Sequence, residues 1–164
     1  MSKTAIYPGS FDPITYGHIE IVKRATEIFD HVIVAVATNV HKKPLFSTEE
    51  RVEMLNEAFA DSPYVEVDSF GGLSVEYARS KGANVLLRGL RMVSDFEYEF
   101  QMALTNRRLA SDVETVYLMP SEGYSFLSSK LIKEGVLLGA DTKDFVPDFV
   151  AKRLKEKLFC DNQS

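Results

Sequence analysis

Two short clusters hold residue types that could bind an anion. In the first, Arg88 and Arg91 bracket Gly89 and Leu90, directly after the apolar run Val85–Leu87. A guanidinium group binds phosphate or carboxylate oxygens through paired N–H donors, and a buried strand rarely ends on unpaired charges. We therefore expect a negatively charged group, such as a phosphate, beside these two arginines.

The second cluster is Thr15-Tyr16-Gly17-His18, which stands between a first apolar run and a segment of helical spacing. A helix that begins here offers free N–H groups and the positive end of its dipole, and the His18 imidazole adds another donor. Gly9 in the preceding loop would let a ligand approach the backbone closely. The alternative interpretation is that Gly9 and Gly17 only allow turns of the backbone and that His18 caps the helix.

Alternating strands and helices must position these clusters. Five apolar, β-branched runs predict parallel strands that are buried on both faces, with helices between them. We predict an α/β fold, a Rossmann-like, doubly wound, five-stranded parallel sheet with C-terminal helices, in a single domain over residues 1–164. Ligands of such sheets bind beyond the carboxyl ends of the strands. The runs are Ala5–Tyr7, Val32–Val36, Val65–Val67, Val85–Leu87 and Val116–Leu118.

Two helix starts can be predicted from local signals. Ser47 with Glu50, and Ser94 with Glu97, have the spacing of capping boxes, in which the two side chains satisfy free backbone N–H groups reciprocally. The helix after Ser94 should run to about Leu109, and its apolar stripe needs a sheet face to cover it. That side of the helix carries Phe96, Phe100, Ala103, Leu104 and Arg107.

Composition limits the possible partners and location. The net charge of −5 disfavours binding to nucleic acid, and no apolar run approaches the roughly 20 residues that span a bilayer. The first residues lack the pattern of a signal peptide, and the single cysteine, Cys160, cannot form an internal disulfide. We therefore expect a cytoplasmic protein that binds a small anionic ligand and neither nucleic acid nor a membrane.

The cluster Thr15–His18 is similar to the signature of the nucleotidyltransferase superfamily. Further motifs, in the same order and over nearly the whole chain, resemble the bacterial phosphopantetheine adenylyltransferase family. They are Tyr7–Pro13, Lys42–Pro44, Arg88–Arg91, Asp95–Glu99 and Ser128–Ser129, and Leu127-Ser128-Ser129 with Lys133 resembles a second superfamily signature.

This resemblance implies transfer of the adenylyl group of ATP to 4'-phosphopantetheine, which gives dephospho-coenzyme A and pyrophosphate in coenzyme A synthesis. Mg²⁺ is expected with ATP, held mainly by phosphate oxygens and water, because no carboxylate cluster with metal-ligand spacing appears in the loops. The resemblance also implies a homo-oligomer, a hexamer of two trimers, and makes feedback by coenzyme A plausible.

The resemblance assigns roles residue by residue. His18 would stabilise the charge that develops on the α-phosphate. The acceptor would be bound by Ser10, Lys42, Ser74 and Arg88, and ATP by Ser10, Phe11, His18, Gly89, Leu90, Arg91, Glu99, Tyr124, Ser125, Phe126, Leu127, Ser128, Ser129 and Lys130. Three of these positions depart from the family pattern, since Ser10 replaces a threonine, Leu127 an isoleucine and Lys130 a small hydroxyl residue.

Two alternatives remain open from the sequence. A related enzyme could use another acceptor, such as nicotinamide mononucleotide or a sugar or alcohol phosphate, because Thr15–His18 does not separate these activities. A nucleotide-sensing protein could instead keep the fold and lose turnover. The family match of Arg88–Arg91 with the following Asp95–Glu99 favours the pantetheine acceptor, and the joint presence of His18, Lys42 and the two arginines argues against a sensor.

Overall fold

The computed structural model describes residues 3–38 and 43–160, which form a five-stranded parallel sheet with helices on its faces. This confirms the predicted α/β fold with C-terminal helices. Each predicted apolar run lies within a strand. The elements, in chain order, are β1 Thr4–Gly9, α1 Tyr16–Ala25, β2 His31–Thr38, α2 Thr48–Ala58, β3 Val65–Gly71, α3 Ser74–Ser80, β4 Val85–Gly89, α4 Val93–Leu109, β5 Glu114–Leu118, α5 Ser129–Leu137 and α6 Asp148–Cys160.

The order of strands across the sheet, β3-β2-β1-β4-β5, creates the site for a ligand. The chain adds strands on one side of β1 and then crosses to add β4 and β5 on the other side. At such a switch point the connections from two neighbouring strands diverge and leave a crevice at their carboxyl ends. Here the crevice lies between the loops that follow β1 and β4, which carry the two predicted anion-binding clusters.

Burial differs between central and edge strands. The interior of β1 is wholly buried, as are five residues of β2 and two of β4. In β3 only Phe70 is buried, and no residue of β5 is. The prediction of strands buried on both faces is therefore correct for the sheet centre and wrong for its edges, because an edge strand has one neighbour and less cover from helices.

One of the two predicted helix starts is confirmed. The Ser47 hydroxyl accepts the Glu50 N–H at 3.1 Å, and the Glu50 carboxylate accepts the Ser47 N–H at 2.7 Å. The prediction at Ser94 is wrong, since α4 begins at Val93 and places Ser94 inside its first turn. The Asp95 carboxylate accepts the Met92 N–H at 3.2 Å. An acidic residue at the third helical position can satisfy that N–H whatever side chain precedes the helix.

The apolar stripe of α4 is not covered by the sheet. Phe96, Phe100 and Leu104 are exposed, and the two phenylalanine rings stack on each other with centroids 5.7 Å apart. The buried residues of this helix are polar, Glu99 and Asn106. The expectation that the stripe faces the sheet is therefore wrong, because α4 turns its polar side towards the cleft.

Among the described residues, no helix is both long enough and apolar enough to cross a membrane.

The capping box of α2 provides a test of local stability. Replacing Ser47 by alanine leaves the Glu50 N–H without its acceptor, so we expect the free energy of unfolding to fall by about 1 kcal/mol. Urea denaturation followed by circular dichroism measures the change. Ser111→Ala, in an exposed turn, is the control. Equal midpoints for both variants would contradict the capping role.

Candidate active site

A cleft of about 1090 Å³ opens at the carboxyl edge of the sheet, between the loops after β1 and β4. Its volume suits a ligand of the size of a nucleotide together with a second substrate. Most of the predicted site residues line it, so the fold brings together residues from distant parts of the chain. They are Ser10, Phe11, His18, Ser74, Arg88, Gly89, Arg91, Glu99, Tyr124, Leu127, Ser128, Ser129 and Lys130.

His18 has features of both interpretations of its motif, since it caps a helix and also keeps a ring donor that a ligand could use. The Thr15 hydroxyl accepts the His18 N–H at 3.4 Å, and the Thr15 N–H donates to Nδ1 of His18 at 3.0 Å, which makes a capping box at the start of α1. Because Nδ1 accepts a hydrogen bond, the proton of the neutral ring is on Nε2. The imidazole thus caps the helix with one nitrogen and keeps an N–H donor on the other.

Burial, together with the positive charges of Arg91 and Arg88, lowers the pKa of His18 to about 4. The imidazole is therefore neutral at pH 7. A bound phosphate would act in the opposite direction, because a negative charge nearby favours the protonated ring. In either protonation state Nε2 remains a hydrogen-bond donor at the N-terminus of α1.

Arg88 has its negative partner within the chain. Its Nε and Nη2 donate to the Glu99 carboxylate at 3.1 Å and 2.6 Å, and Nη1 donates to the Pro8 carbonyl at 3.1 Å. The negatively charged group expected beside Arg88 is thus supplied, within the chain, by the Glu99 carboxylate. A guanidinium has five N–H groups, and these three bonds leave one on Nη1 and one on Nη2. Those two donors remain available to a phosphate.

Glu99 therefore has a structural part that its sequence context does not reveal. It is buried in α4, and its carboxylate is engaged by Arg88 on both oxygens. The Tyr117 hydroxyl donates to the Glu99 carbonyl at 2.7 Å, which ties this turn of α4 to β5. The role predicted for Glu99, contact with the nucleotide, stays a prediction, and the structure adds that it orients Arg88.

Arg91 connects the loop after β4 to the segment before α5. Its Nη1 donates to the Leu127 carbonyl at 2.5 Å, and its Nε lies 3.5 Å from the Asp95 carboxylate. A Cβ placed on Gly89, two residues earlier, would make only ordinary contacts, the nearest at 3.6 Å from the Tyr7 hydroxyl. The glycine therefore leaves its backbone accessible to a ligand rather than avoiding a clash within the chain.

The start of α5 also faces the cleft. Ser128 is the N-cap residue, but its side chain makes no capping hydrogen bond, and the Ser129 hydroxyl donates to the Pro13 carbonyl at 2.8 Å. Free N–H groups at a helix start favour an anion. The position fits the predicted binding of ATP phosphates by this segment.

Three of the predicted contacts that the structure describes, Leu90, Ser125 and Phe126, are not on the cleft wall. Leu90 donates its backbone N–H to the Leu118 carbonyl at 3.0 Å, and the Ser125 hydroxyl donates to the Glu122 carbonyl at 3.1 Å. Phe126 is exposed and packs edge-on against Phe145. Their predicted roles in ATP binding rest on the resemblance alone. Lys42 lies outside the described residues.

Sequence reasoning missed Asp12, which joins three segments around the cleft. Its buried carboxylate accepts the N–H groups of Leu45 and Phe46, each at 2.9 Å, and the ammonium of Lys133 at 2.7 Å. Lys133, which resembles the basic residue of the second superfamily signature, is thus paired within the chain. A charged residue between the buried Phe11 and Ile14 is the signal that could have indicated such a site.

The described residues contain no group of three or more histidine, cysteine or acidic side chains placed to hold a metal ion. Asp12 lines the cleft, but both of its oxygens already accept hydrogen bonds. A metal ion in this cleft would therefore need ligands from a bound substrate and from water.

Comparisons with known proteins identify the family. The model of the cytidylyltransferase-like family matches residues 6–135. Proteins named phosphopantetheine adenylyltransferase are similar to the chain: one from Caldanaerobacter subterraneus is 58% identical (94% of this chain, 97% of the relative) and one from Carboxydothermus hydrogenoformans is 53% identical (94% and 96%).

Solved structures support the fold. A putative nicotinate-nucleotide adenylyltransferase from Vibrio parahaemolyticus superposes with a TM-score of 0.65 at 16% identity, covering 94% of this chain and 99% of that one. At that identity the likeness concerns the fold alone. Because the family model matches most of the chain, and the relatives are more than half identical over nearly all of it, the chain belongs to the cytidylyltransferase-like family and, within it, to the phosphopantetheine adenylyltransferases.

Proposed function

We propose that the chain transfers the adenylyl group of ATP to 4'-phosphopantetheine and releases dephospho-coenzyme A and pyrophosphate. The observation that carries the chemistry is the fixed Nε2–H donor of His18 at the start of α1, in a cleft that also holds Arg88 and Arg91. The acceptor follows from the family, because the relatives that share more than half of the sequence bear that name.

The reaction needs charge stabilisation more than a base. An oxygen of the acceptor phosphate attacks the α-phosphorus of ATP, and the bond between that phosphorus and the oxygen bridging to the β-phosphate breaks. Negative charge grows on the α-phosphate oxygens and on the leaving pyrophosphate. Donors that are already oriented stabilise this charge without reorganisation, and holding both substrates in line lowers the entropic cost. His18 is placed to stabilise the α-phosphate.

The two arginines divide the remaining charges. Arg88 keeps one free N–H group on Nη1 and one on Nη2, which suit the acceptor phosphate together with Ser10, Ser74 and the predicted Lys42. Arg91, which is tied to the segment before α5, suits the nucleotide phosphates together with the free N–H groups of that helix. Mg²⁺ would be held by the ATP phosphates and water, and would neutralise part of their charge.

The exposed apolar side of α4 supports a homo-oligomer. Val93, Phe96, Phe100 and Leu104 are exposed in one helix, and Val93 reaches 90%. Apolar residues gathered on one surface mark interaction sites more often than isolated ones do. A second copy of the chain is the proposed partner, and the hexamer rests on the resemblance.

The proposed reaction also suggests where the protein acts and what could regulate it. We place the protein in the cytoplasm, where a coenzyme A precursor would be made. Coenzyme A contains both the pantetheine arm and the adenylate of the proposed product. It can therefore compete for the same cleft, which is the basis for proposing feedback.

The choice of acceptor is tested by pyrophosphate release. Purified protein with ATP and Mg²⁺ should release pyrophosphate when 4'-phosphopantetheine is added, and should not respond to nicotinamide mononucleotide. A coupled phosphate assay follows both reactions. Turnover with the second acceptor only would overturn the proposed function, and binding of ATP without turnover would favour a nucleotide sensor.

The role of His18 is tested by its effect on rate rather than binding. His18→Gln should lower kcat by about 100- to 1,000-fold, because removing one donor to a developing negative charge has an effect of that size. The dissociation constant for ATP should change little, since the donor acts mainly in the transition state. His31→Gln, which alters a histidine paired with Glu66, is the control. Equal losses in kcat and ATP affinity would contradict this assignment.

The oligomer is tested by placing a charge on α4. Phe100→Glu should shift the mass measured by light scattering from an oligomer towards a single chain, because burying a carboxylate in an apolar interface is costly. Ile28→Glu introduces the same charge at an exposed apolar residue in the turn after α1. A wild-type protein that is already monomeric would refute the proposed assembly.

A further inference from the structure

Arg51 is a buried charged residue that the proposed reaction leaves without a role. It lies in α2, is only 4% exposed and lines the cleft. Burying a charge costs free energy unless the charge is paired and hydrogen-bonded. A guanidinium kept in such a place must therefore make contacts that compensate for its burial.

Those contacts are made to neutral oxygens. Nη1 of Arg51 donates to the Ser10 carbonyl at 2.8 Å, Nε to the Ser47 carbonyl at 3.2 Å and Nη2 to the Thr48 hydroxyl at 3.2 Å. Within the part of the chain that the structure describes, none of its hydrogen-bond acceptors is a carboxylate. Burial lowers the pKa of Arg51, and the nearby charge of Asp12 partly offsets this.

The bond to Ser10 holds a strained part of the backbone. The Ser10 carbonyl belongs to the peptide that precedes Phe11, and Phe11 has a φ of +48°, in the left-handed region that side chains other than glycine rarely adopt. Such a conformation persists only where its surroundings fix it. Arg51 is one of the groups that fix it, from a helix that begins more than 30 residues later.

The position of Phe11 matters because its ring packs on the catalytic histidine. The ring centroids of Phe11 and His18 are 5.0 Å apart in an edge-to-face arrangement, and Phe11 is buried. The same ring occupies the space above Gly9, where a Cβ would lie 2.9 Å from it. A continuous set of contacts thus runs from Arg51 through the Ser10–Phe11 peptide and the Phe11 ring to the imidazole.

We propose that Arg51 is a positioning residue for adenylyl transfer, which holds the Ser10–Phe11 peptide so that the Phe11 ring fixes the orientation of His18. Arg51 does not touch the reacting atoms in this role. The proposal rests on the proposed function for its effect on rate. Its structural part, the placement of Phe11 against His18, can be measured without turnover.

The kinetic test uses Arg51→Met and Arg51→Lys. The methionine variant should lower kcat by about 10- to 100-fold, the loss expected when a catalytic group is displaced by about 1 Å, with a smaller change in KM for ATP. The lysine variant keeps the charge but not the three-way hydrogen bonding, and should recover part of kcat. In a Phe11→Leu background, which lacks the ring, Arg51→Met should lower kcat much less, so the two effects should not be additive.

Two controls separate positioning from stability. Ser47→Ala weakens the start of the same helix but keeps the Ser47 carbonyl that Arg51 contacts, so it should lower Tm and leave kcat unchanged. Arg153→Met removes a guanidinium of α6 that pairs with Glu53, which lies two residues after Arg51 in α2 but outside the cleft lining. If Arg51→Met does not fold, the lysine variant provides the comparison.

The structural test is the chemical shift of the His18 ring protons in NMR, which the neighbouring Phe11 ring should influence. Both Arg51 variants should move these resonances, and neither control should. A folded Arg51 variant with unchanged His18 resonances and unchanged kcat would overturn the proposal, as would full additivity with Phe11→Leu. Absence of turnover in the wild type would refute the proposed function instead, and the NMR comparison would then decide the role of Arg51.

Discussion

The buried Asp12 carboxylate is the interaction on which the arrangement of the cleft depends. It receives two backbone N–H groups from the segment before α2 and the ammonium of Lys133 from α5. Removing one partner of a buried ion pair leaves an uncompensated charge, which typically costs about 3–5 kcal/mol. Two segments that are far apart in the chain are therefore held to one loop by a single charge. The loop carries Ser10 and Phe11 and leads into α1, so the position of His18 also depends on this charge.

Contacts within the chain also orient the hydrogen-bond donors of the cleft before any substrate binds. The Thr15 N–H selects the tautomer of His18, and Glu99 together with the Pro8 carbonyl fixes the plane of Arg88. In each case internal partners occupy part of the side chain's hydrogen-bonding capacity and leave at least one N–H donor available. This arrangement reduces the reorganisation that charge development would otherwise require. It also explains why the cationic groups in the cleft do not need a bound anion to remain in place.

The need for an internal partner to orient Arg88 also accounts for the unusual polarity of α4. Its inward side must supply Glu99 to Arg88, so it is polar, and its apolar residues are left on the outside. A helix in an isolated α/β domain normally places its apolar side against the sheet. One helix therefore contributes polar residues to the cleft on one side and leaves an exposed apolar surface on the other.

The sequence alone determined the alternation of strands and helices, the two clusters at the carboxyl edge of the sheet and the resemblance that assigned their roles. These follow from local patterns: apolar β-branched runs, the spacing of Thr15 and His18, and arginines placed directly after a strand. The tertiary structure decided which groups each charged side chain contacts, because Arg88 with Glu99, Asp12 with Lys133 and Arg51 with the Ser10 carbonyl join residues that are 11, 121 and 41 positions apart. It also decided which side of α4 faces the sheet, since helical spacing identifies an apolar side but not what covers it. Such pairings depend on how the strands are ordered in the sheet, and no local pattern in the chain records that order.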